Sequence, residues 1–105
     1  WVAEDDGHPV GFAGLVPSKR YIGVGYLCRA GVVPEYRGRG IQKRLIRVRE
    51  ARARREGMTH LMTNTYDNPP SSNSLIACGF QLFTPTEPWG AEGTLYWRKR
   101  LKATA

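Results

Sequence analysis

Between Val32 and Gln42 the chain reads Val-Val-Pro-Glu-Tyr-Arg-Gly-Arg-Gly-Ile-Gln, and its last six residues hold two glycines and three cationic or amide side chains. Glycines at a turn from strand to helix let neighbouring backbone N–H groups converge, and a helix N-terminus adds partial positive charge. Phosphate oxygens fit such a nest. Arg37, Gly38, Arg39, Gly40, Ile41 and Gln42 are therefore the first candidates for holding a ligand. The turn alone does not decide the matter, because glycines also serve positive φ with no ligand present. The spacing differs from a dinucleotide fingerprint, and no Gly-Lys-Ser/Thr follows as a nucleoside-triphosphate loop requires.

The elements around this turn must position it. Trp1 to Glu4 and Val10 to Val16 read as two strands joined at Asp5-Asp6-Gly7-His8-Pro9, a hairpin. From Tyr21 to Val33 the residues alternate, with Ile22, Val24, Tyr26, Cys28, Ala30 and Val32 expected on one apolar face. Gly31 in this strand suggests a bulge, a bend, or close approach by another backbone or a ligand. Gly40 to Glu56 carries the helical period, with Ile41, Leu45 and Val48 on one stripe, Ile46 and Ala51 at its margins, and Gly57 as the stop. Thr59 to Thr65 reads as a strand parallel to the one before the helix. Pro69 and Pro70 suit the opening of a short helix over Ser71 to Cys78, ended by Gly79. Strands at Gln81–Thr84 and Thr94–Leu101 complete the domain, and residues 102–105 read as a tail. Trp89 stands in the loop between those strands, as a plug of the core edge or a cover for a ligand.

One small domain spanning residues 1–105 is expected from 105 residues of which 41% are hydrophobic. No apolar run approaches the roughly 20 residues of a membrane span, and no signal peptide opens the chain. Cys28 and Cys78 lie in apolar segments; buried free thiols in a reducing, cytoplasmic setting are expected, with one disulfide as the alternative. No Cys/His cluster has zinc spacing, so no metal site is expected. The net charge is +7, and nine of the 16 basic residues fall between Arg37 and Arg55. Such a block suits nucleic acid, an acidic partner, a solvated helix face, or a phosphorylated small molecule.

Val32 to Gly40 resembles the coenzyme A loop of the GNAT acyltransferase superfamily, Arg/Gln-x-x-Gly-x-Gly/Ala after a Val-x-Pro strand end. Arg37 and Gly40 match its first two fixed positions, and Gln42 stands where Gly or Ala is usual. A second family feature, an Asn followed eleven residues later by Gly-Phe, is matched by Asn68 and Gly79-Phe80. The resemblance implies an α/β fold: a mixed, partly parallel central sheet with a basic helix and a short helix, entered at the family's second strand. The leading strand and two helices would lie before Trp1, so a truncated domain is expected. A homodimer or a second chain completing the acceptor pocket is a further possibility.

By the same resemblance the ligand is acetyl-coenzyme A, and the reaction is acetyl transfer to an amine by direct attack in a ternary complex. Backbone amides at Gly31, Val32 and Val33 would pair with the pantetheine arm and polarise the thioester. Arg37, Arg39 and the turn amides would take the diphosphate, with Lys43 and Arg44 near the adenosine phosphate. Asn68 would hold the pantetheine, with Ser71 and Ser74 lining the cofactor side of the short helix. The residue's own alternative is that Asn68 only caps that helix.

An alkyl amine has a pKa near 10 and must lose a proton before attack. Asp5, Asp6, Asp67, Glu87 and Glu92 are the carboxylates available, each in a turn or loop. The family's frequent proton donor, a Tyr on the helix after Asn68, is replaced here by Leu75, and Tyr66 is the nearest substitute. Neither cysteine has a His partner for acyl-enzyme chemistry. Two other readings stand beside the enzyme. One is a non-catalytic coenzyme A-binding regulatory domain of the same fold. The other, less favoured, is a basic nucleic-acid-binding module, against which the aromatics are not interleaved with the arginines.

Overall fold

Asp6 and Gly7 both take positive φ, 50° and 79°, the backbone a two-residue hairpin needs to match the twist of its strands. They join β1 (Val2–Asp5) to β2 (His8–Pro17). The computed structural model describes residues 1–102, so the tail expected at 102–105 lies outside the described residues beyond its first position. After β2 come β3 (Val24–Val32), a 3-10 turn (Pro34–Tyr36), α1 (Ile41–Arg55), β4 (His60–Thr65), α2 (Pro69–Ala77), β5 (Gln81–Phe83) and β6 (Leu95–Arg100). They form a six-stranded sheet in the order β1-β2-β3-β4-β6-β5. The β3–β4 pair is parallel and the other pairs are antiparallel, which is the mixed α/β architecture expected.

Both helices are stopped by the same device. Gly57, at φ 77°, lets its own N–H bond Arg54 O and the Met58 N–H bond Ala53 O. Gly79, at φ 88°, repeats the pattern with Ile76 O and Leu75 O. These paired bonds satisfy the last carbonyls of each helix. Pro69 and Pro70 open α2, where the missing N–H groups would have had no helical partner.

The core lies on the sheet face that the two helices share. Leu27, Leu61 and Trp97 from the strands meet Ile46 and Ala53 of α1, Leu75 of α2 and Cys78 at the C-cap of α2. Ile46 and Leu61 are sealed from solvent, each burial contributing about 1.5–3 kcal/mol. Strand alternation sends Tyr26, Met62, Asn64 and Tyr96 to the opposite face. Both cysteines are free thiols.

Three expectations are corrected. The buried stripe of α1 is Leu45, Ile46, Arg49, Glu50 and Ala53. At 100° per residue Val48 lies roughly 130° from its centre and is exposed, as is Ala51. Buried polar residues hid the true face from a count of apolar ones. The regular alternation expected along β3 also fails. Ile22 sits in the turn before the strand, fully exposed. The bulge is at Arg29, which takes φ 40° where Ala13 pairs with Ala30 and Gly14 with Cys28. At Gly31 the close approach comes from the Phe12 ring of β2: a Cβ would lie 2.7 Å from its Cε1. The glycine there makes room for a side chain of the fold.

Candidate functional site

The parallel ladder between β3 and β4 ends early. Its last pair is Tyr26 with Met62, after which one side-chain bond, Thr63 Oγ1–H to Leu27 O at 2.9 Å, holds the two strands. β3 then continues along β2, while β4 continues along β6. The strands part, leaving Cys28, Arg29 and Ala30 across a slot from Asn64, Thr65 and Tyr66. The slot opens into a cavity of about 450 Å³ that reaches Gln42 and Ile46 of α1 and Ser71 and Leu75 of α2.

A second cavity, about 600 Å³, adjoins it at the start of α1. Its wall brings together Gly31, Val32, Arg37, Gly38, Gly40, Ile41, Gln42, Asn68, Ser71 and Ser74, ten of the twelve positions expected to hold the diphosphate and pantetheine, and Lys43, expected near the adenosine phosphate; Arg44 is not part of it. Gly38 and Gly40 have φ of 79° and 80°, and a Cβ at either would meet no protein atom within 4 Å. The backbone there is in the left-handed form and the space above it is open, which is the shape of a cradle. The N-cap, Gly40, has no side chain to cap α1, and the first backbone bond of the helix runs from Arg44 N–H to Gly40 O. The amides of Ile41, Gln42 and Lys43 are left to a ligand or solvent.

Two of those twelve positions stand outside this wall. The Val33 N–H is taken by Val10 O at 2.9 Å, so it cannot serve a pantetheine; alternation along the strand turns the Val32 N–H the other way, toward the slot. The strands part beyond Tyr26, five residues before Gly31. Arg39 stacks on Tyr36, its guanidinium carbon 4.5 Å from the ring centroid, and Tyr36 O–H donates to Asp5 Oδ2 at 2.5 Å. That bond raises the Tyr36 phenol above its ordinary 10. Arg37 Nε–H bonds Val32 O at 3.2 Å and braces the loop against the strand end.

Across the cavity, Asn68 Oδ1 accepts the Ser71 N–H at 3.2 Å, so it caps α2, leaving its NH₂ group for a ligand carbonyl. Gln42 Nε2–H donates to Ser71 Oγ at 2.9 Å. Gln42 thus ties the start of α1 to α2 at the border of the two cavities, something a Gly or Ala in its place could not do. Leu75 is buried in the core. Tyr66 lines the slot cavity at the exposed end of β4, 61% accessible. None of Asp5, Asp6, Asp67, Glu87 or Glu92 lines either cavity.

A third cavity of about 680 Å³ lies on the sheet face away from the helices, lined by Arg20, Tyr21, Tyr26, Met62 and Trp89 among others. Tyr26 belongs to both this cavity and the slot. Its hydroxyl donates to Asn64 Oδ1, and burial pushes its phenol above the usual 10. Trp89 packs edge-on to Tyr26 and Tyr96, centroids 6.5 and 4.7 Å away, so it plugs the core edge and lines the cavity as well. The Tyr26–Asn64 pair was missed from sequence because nothing in their spacing marks residues 38 apart as partners. Arg49 was missed as well. It is 3% exposed, donates from Nε to Leu45 O and from Nη1 to Gly14 O, and borders the slot. Burial lowers its guanidinium to about 10, so it stays charged at neutral pH.

The parted parallel strands, with a glycine cradle and an uncapped helix at their mouth, define an α/β domain of the acyl-coenzyme A acyltransferase type. The chain belongs to the acetyltransferase (GNAT) family, whose family model matches residues 1–80. A search of curated proteins found no match. Similar solved structures include an IAA acetyltransferase from Bacillus cereus, 22% identical, with TM-score 0.79, over 95% of this chain and 75% of that one. A ribosomal-protein-alanine N-acetyltransferase from Brucella melitensis is 25% identical, with TM-score 0.79, over 95% and 67%. A phosphinothricin acetyltransferase from Sinorhizobium meliloti, in complex with AcCoA, is 24% identical, with TM-score 0.79, over 95% and 59%. Acetyl-coenzyme A is the cofactor of the fold, and the open space above Gly38 and Gly40 fits its diphosphate. Among the described residues no group of His, Cys, Asp and Glu is placed to hold a metal ion, and no helix is long and apolar enough to cross a membrane.

Proposed function

We propose that the protein is an N-acetyltransferase that moves the acetyl group of acetyl-coenzyme A to an amine by direct attack in a ternary complex. The observation that carries this reading is the slot through the sheet. Its cavity borders the one under the glycine cradle and shares Tyr26 with the cavity on the opposite face, which suits a thioester entering from the helix side and an amine from the other. Acetyl-coenzyme A supplies an activated acyl carbon and a thiolate leaving group.

The chain's own residues divide the remaining tasks. The amides of Gly38 to Lys43 and the Arg37 guanidinium bind the diphosphate. The Val32 N–H and the Asn68 NH₂ hold the pantetheine arm, with Ser71 and Ser74 beside it, and amides at the parted end of β3 polarise the acyl carbonyl. In the transfer the amine nitrogen bonds the acyl carbon and the C–S bond breaks. The nitrogen sheds one proton and the departing sulfur gains one. Among the described residues no carboxylate lines the cavities, so the nitrogen's proton passes to water. The sulfur's proton comes from a tyrosine on the slot wall. We favour Tyr26 over Tyr66, because Tyr26 is half-buried, held by Asn64 and set between the two cavities.

The buried Leu75 at the family's usual proton-donor position also suits a second reading, a coenzyme A-binding domain without turnover. A cytoplasmic location fits two free thiols and this cofactor. A homodimer or a second chain at the acceptor cavity is part of the proposal. The test is release of free thiol from acetyl-coenzyme A by the full-length protein. The enzyme reading expects release that depends on an added amine; coenzyme A binding with no amine-dependent release across varied amines would replace it with the second reading.

A further inference from the structure

The 680 Å³ cavity on the acceptor side of the slot carries a chemical bias. Among the described residues no Asp or Glu lines it, whereas Lys19 and Arg20 do, beside Tyr21, Tyr26, Met62 and Trp89. Arg20 is exposed and rests on Trp89. Its guanidinium carbon lies 5.3 Å from the Trp89 ring centroid, and a stacked guanidinium keeps its in-plane N–H donors free. The loop bearing it is built rather than slack. Ser18 Oγ accepts the N–H groups of Arg20 and Tyr21, both at 3.2 Å, and Ser18 N–H donates to Val24 O at 2.7 Å.

Each class of amine meets this wall differently. A polyamine or other polycation would bring its charges against two cations on this wall, where no described residue offers a carboxylate. An amine with no carboxylate would form no ion pair with Arg20. An amino carboxylate with an apolar body would lay that body on Trp89, Met62 and Tyr21, give its carboxylate to Arg20, and extend its nitrogen toward Tyr26 and the slot. From this arrangement we infer that the acceptor is a small amino carboxylate with an apolar or aromatic side group, its carboxylate read by Arg20. The inference rests on the acetyltransferase reading above and narrows it to a substrate class.

The test is steady-state thiol release by the full-length protein at saturating acetyl-coenzyme A, with coenzyme A binding measured by calorimetry on the same preparations. The acceptors are phenylalanine and leucine, their amides, their decarboxylated amines, and spermidine. The expected result is a kcat/KM for the free amino acids at least about tenfold above each of the others. Arg20→Gln should cut the amino-acid value about tenfold more than that of the matching decarboxylated amine, and Arg20→Lys should restore part of the difference. Equal or better use of spermidine or the decarboxylated amines would overturn the inference. So would a uniform loss across all acceptors in Arg20→Gln, or no turnover of any acceptor by a protein that binds coenzyme A. Absence of coenzyme A binding would be distinguishable, since it removes the acetyltransferase reading on which the inference stands.

Discussion

In the proposed mechanism Tyr26 gives the departing sulfur its proton. Burial holds its phenol above 10, so it carries its proton throughout the range where an enzyme works, roughly pH 6 to 9. The same shift has a consequence for stability. A phenol favoured in its neutral form by folding contributes stability below its unfolded pKa and loses that contribution as pH rises through its folded value. In catalysis the expected pH profile rises with pH as the acceptor amine loses its proton, with no fall from Tyr26 until above about pH 10. Tyr26→Phe should lower kcat about 10- to 100-fold and leave the KM for acetyl-coenzyme A within about twofold, with the rising limb unmoved. Tyr66→Phe should keep most activity, since Tyr66 is largely exposed at the rim. Parallel kinetics of the two variants across pH check this, and the reverse order of losses would move the role to Tyr66.

The turn from β3 into α1 owes its form to Gly38 and Gly40, whose left-handed backbone costs any other L-residue about 1–2 kcal/mol. Because the space above them is open, Gly40→Ala should fold with only that modest loss, seen in chemical denaturation, yet bind coenzyme A at least about tenfold more weakly by calorimetry. A methyl group would stand where the diphosphate belongs. This turn was legible in the sequence, because glycine spacing and an uncapped helix start are local properties. So were the order of elements and the parallel pair, which follow from periodicity and the strand–helix–strand pattern. The far side of the slot was not legible. Tyr26 and Asn64 meet where the ladder between β3 and β4 stops at Met62, and the stopping point is a tertiary property that local sequence does not carry. Arg49 and Glu50 face inward because their partners, Gly14 O for one and Lys99 with Arg54 for the other, come from other parts of the fold or one helical turn along. A count of apolar residues therefore misplaced the stripe and put Val48 inward.

At the scale of the whole molecule, the sheet is a partition with a gap. Helices and cofactor cradle lie on one side, an aromatic and cationic cavity lies on the other, and Tyr26, at the last pair before β3 and β4 part, borders both the slot and that cavity. The Arg-rich outer face of α1 supplies a positive field for a polyanionic ligand, and the polar bond from Gln42 to Ser71 sets the distance between the helices at the mouth. The most direct test of this account is a structure of the full-length protein with coenzyme A. The account predicts diphosphate oxygens within hydrogen-bond distance of the amides between Gly38 and Lys43, with the thiol end in the slot beside Tyr26. A coenzyme A bound elsewhere, or no binding at millimolar concentration with those amides turned to protein acceptors, would contradict it.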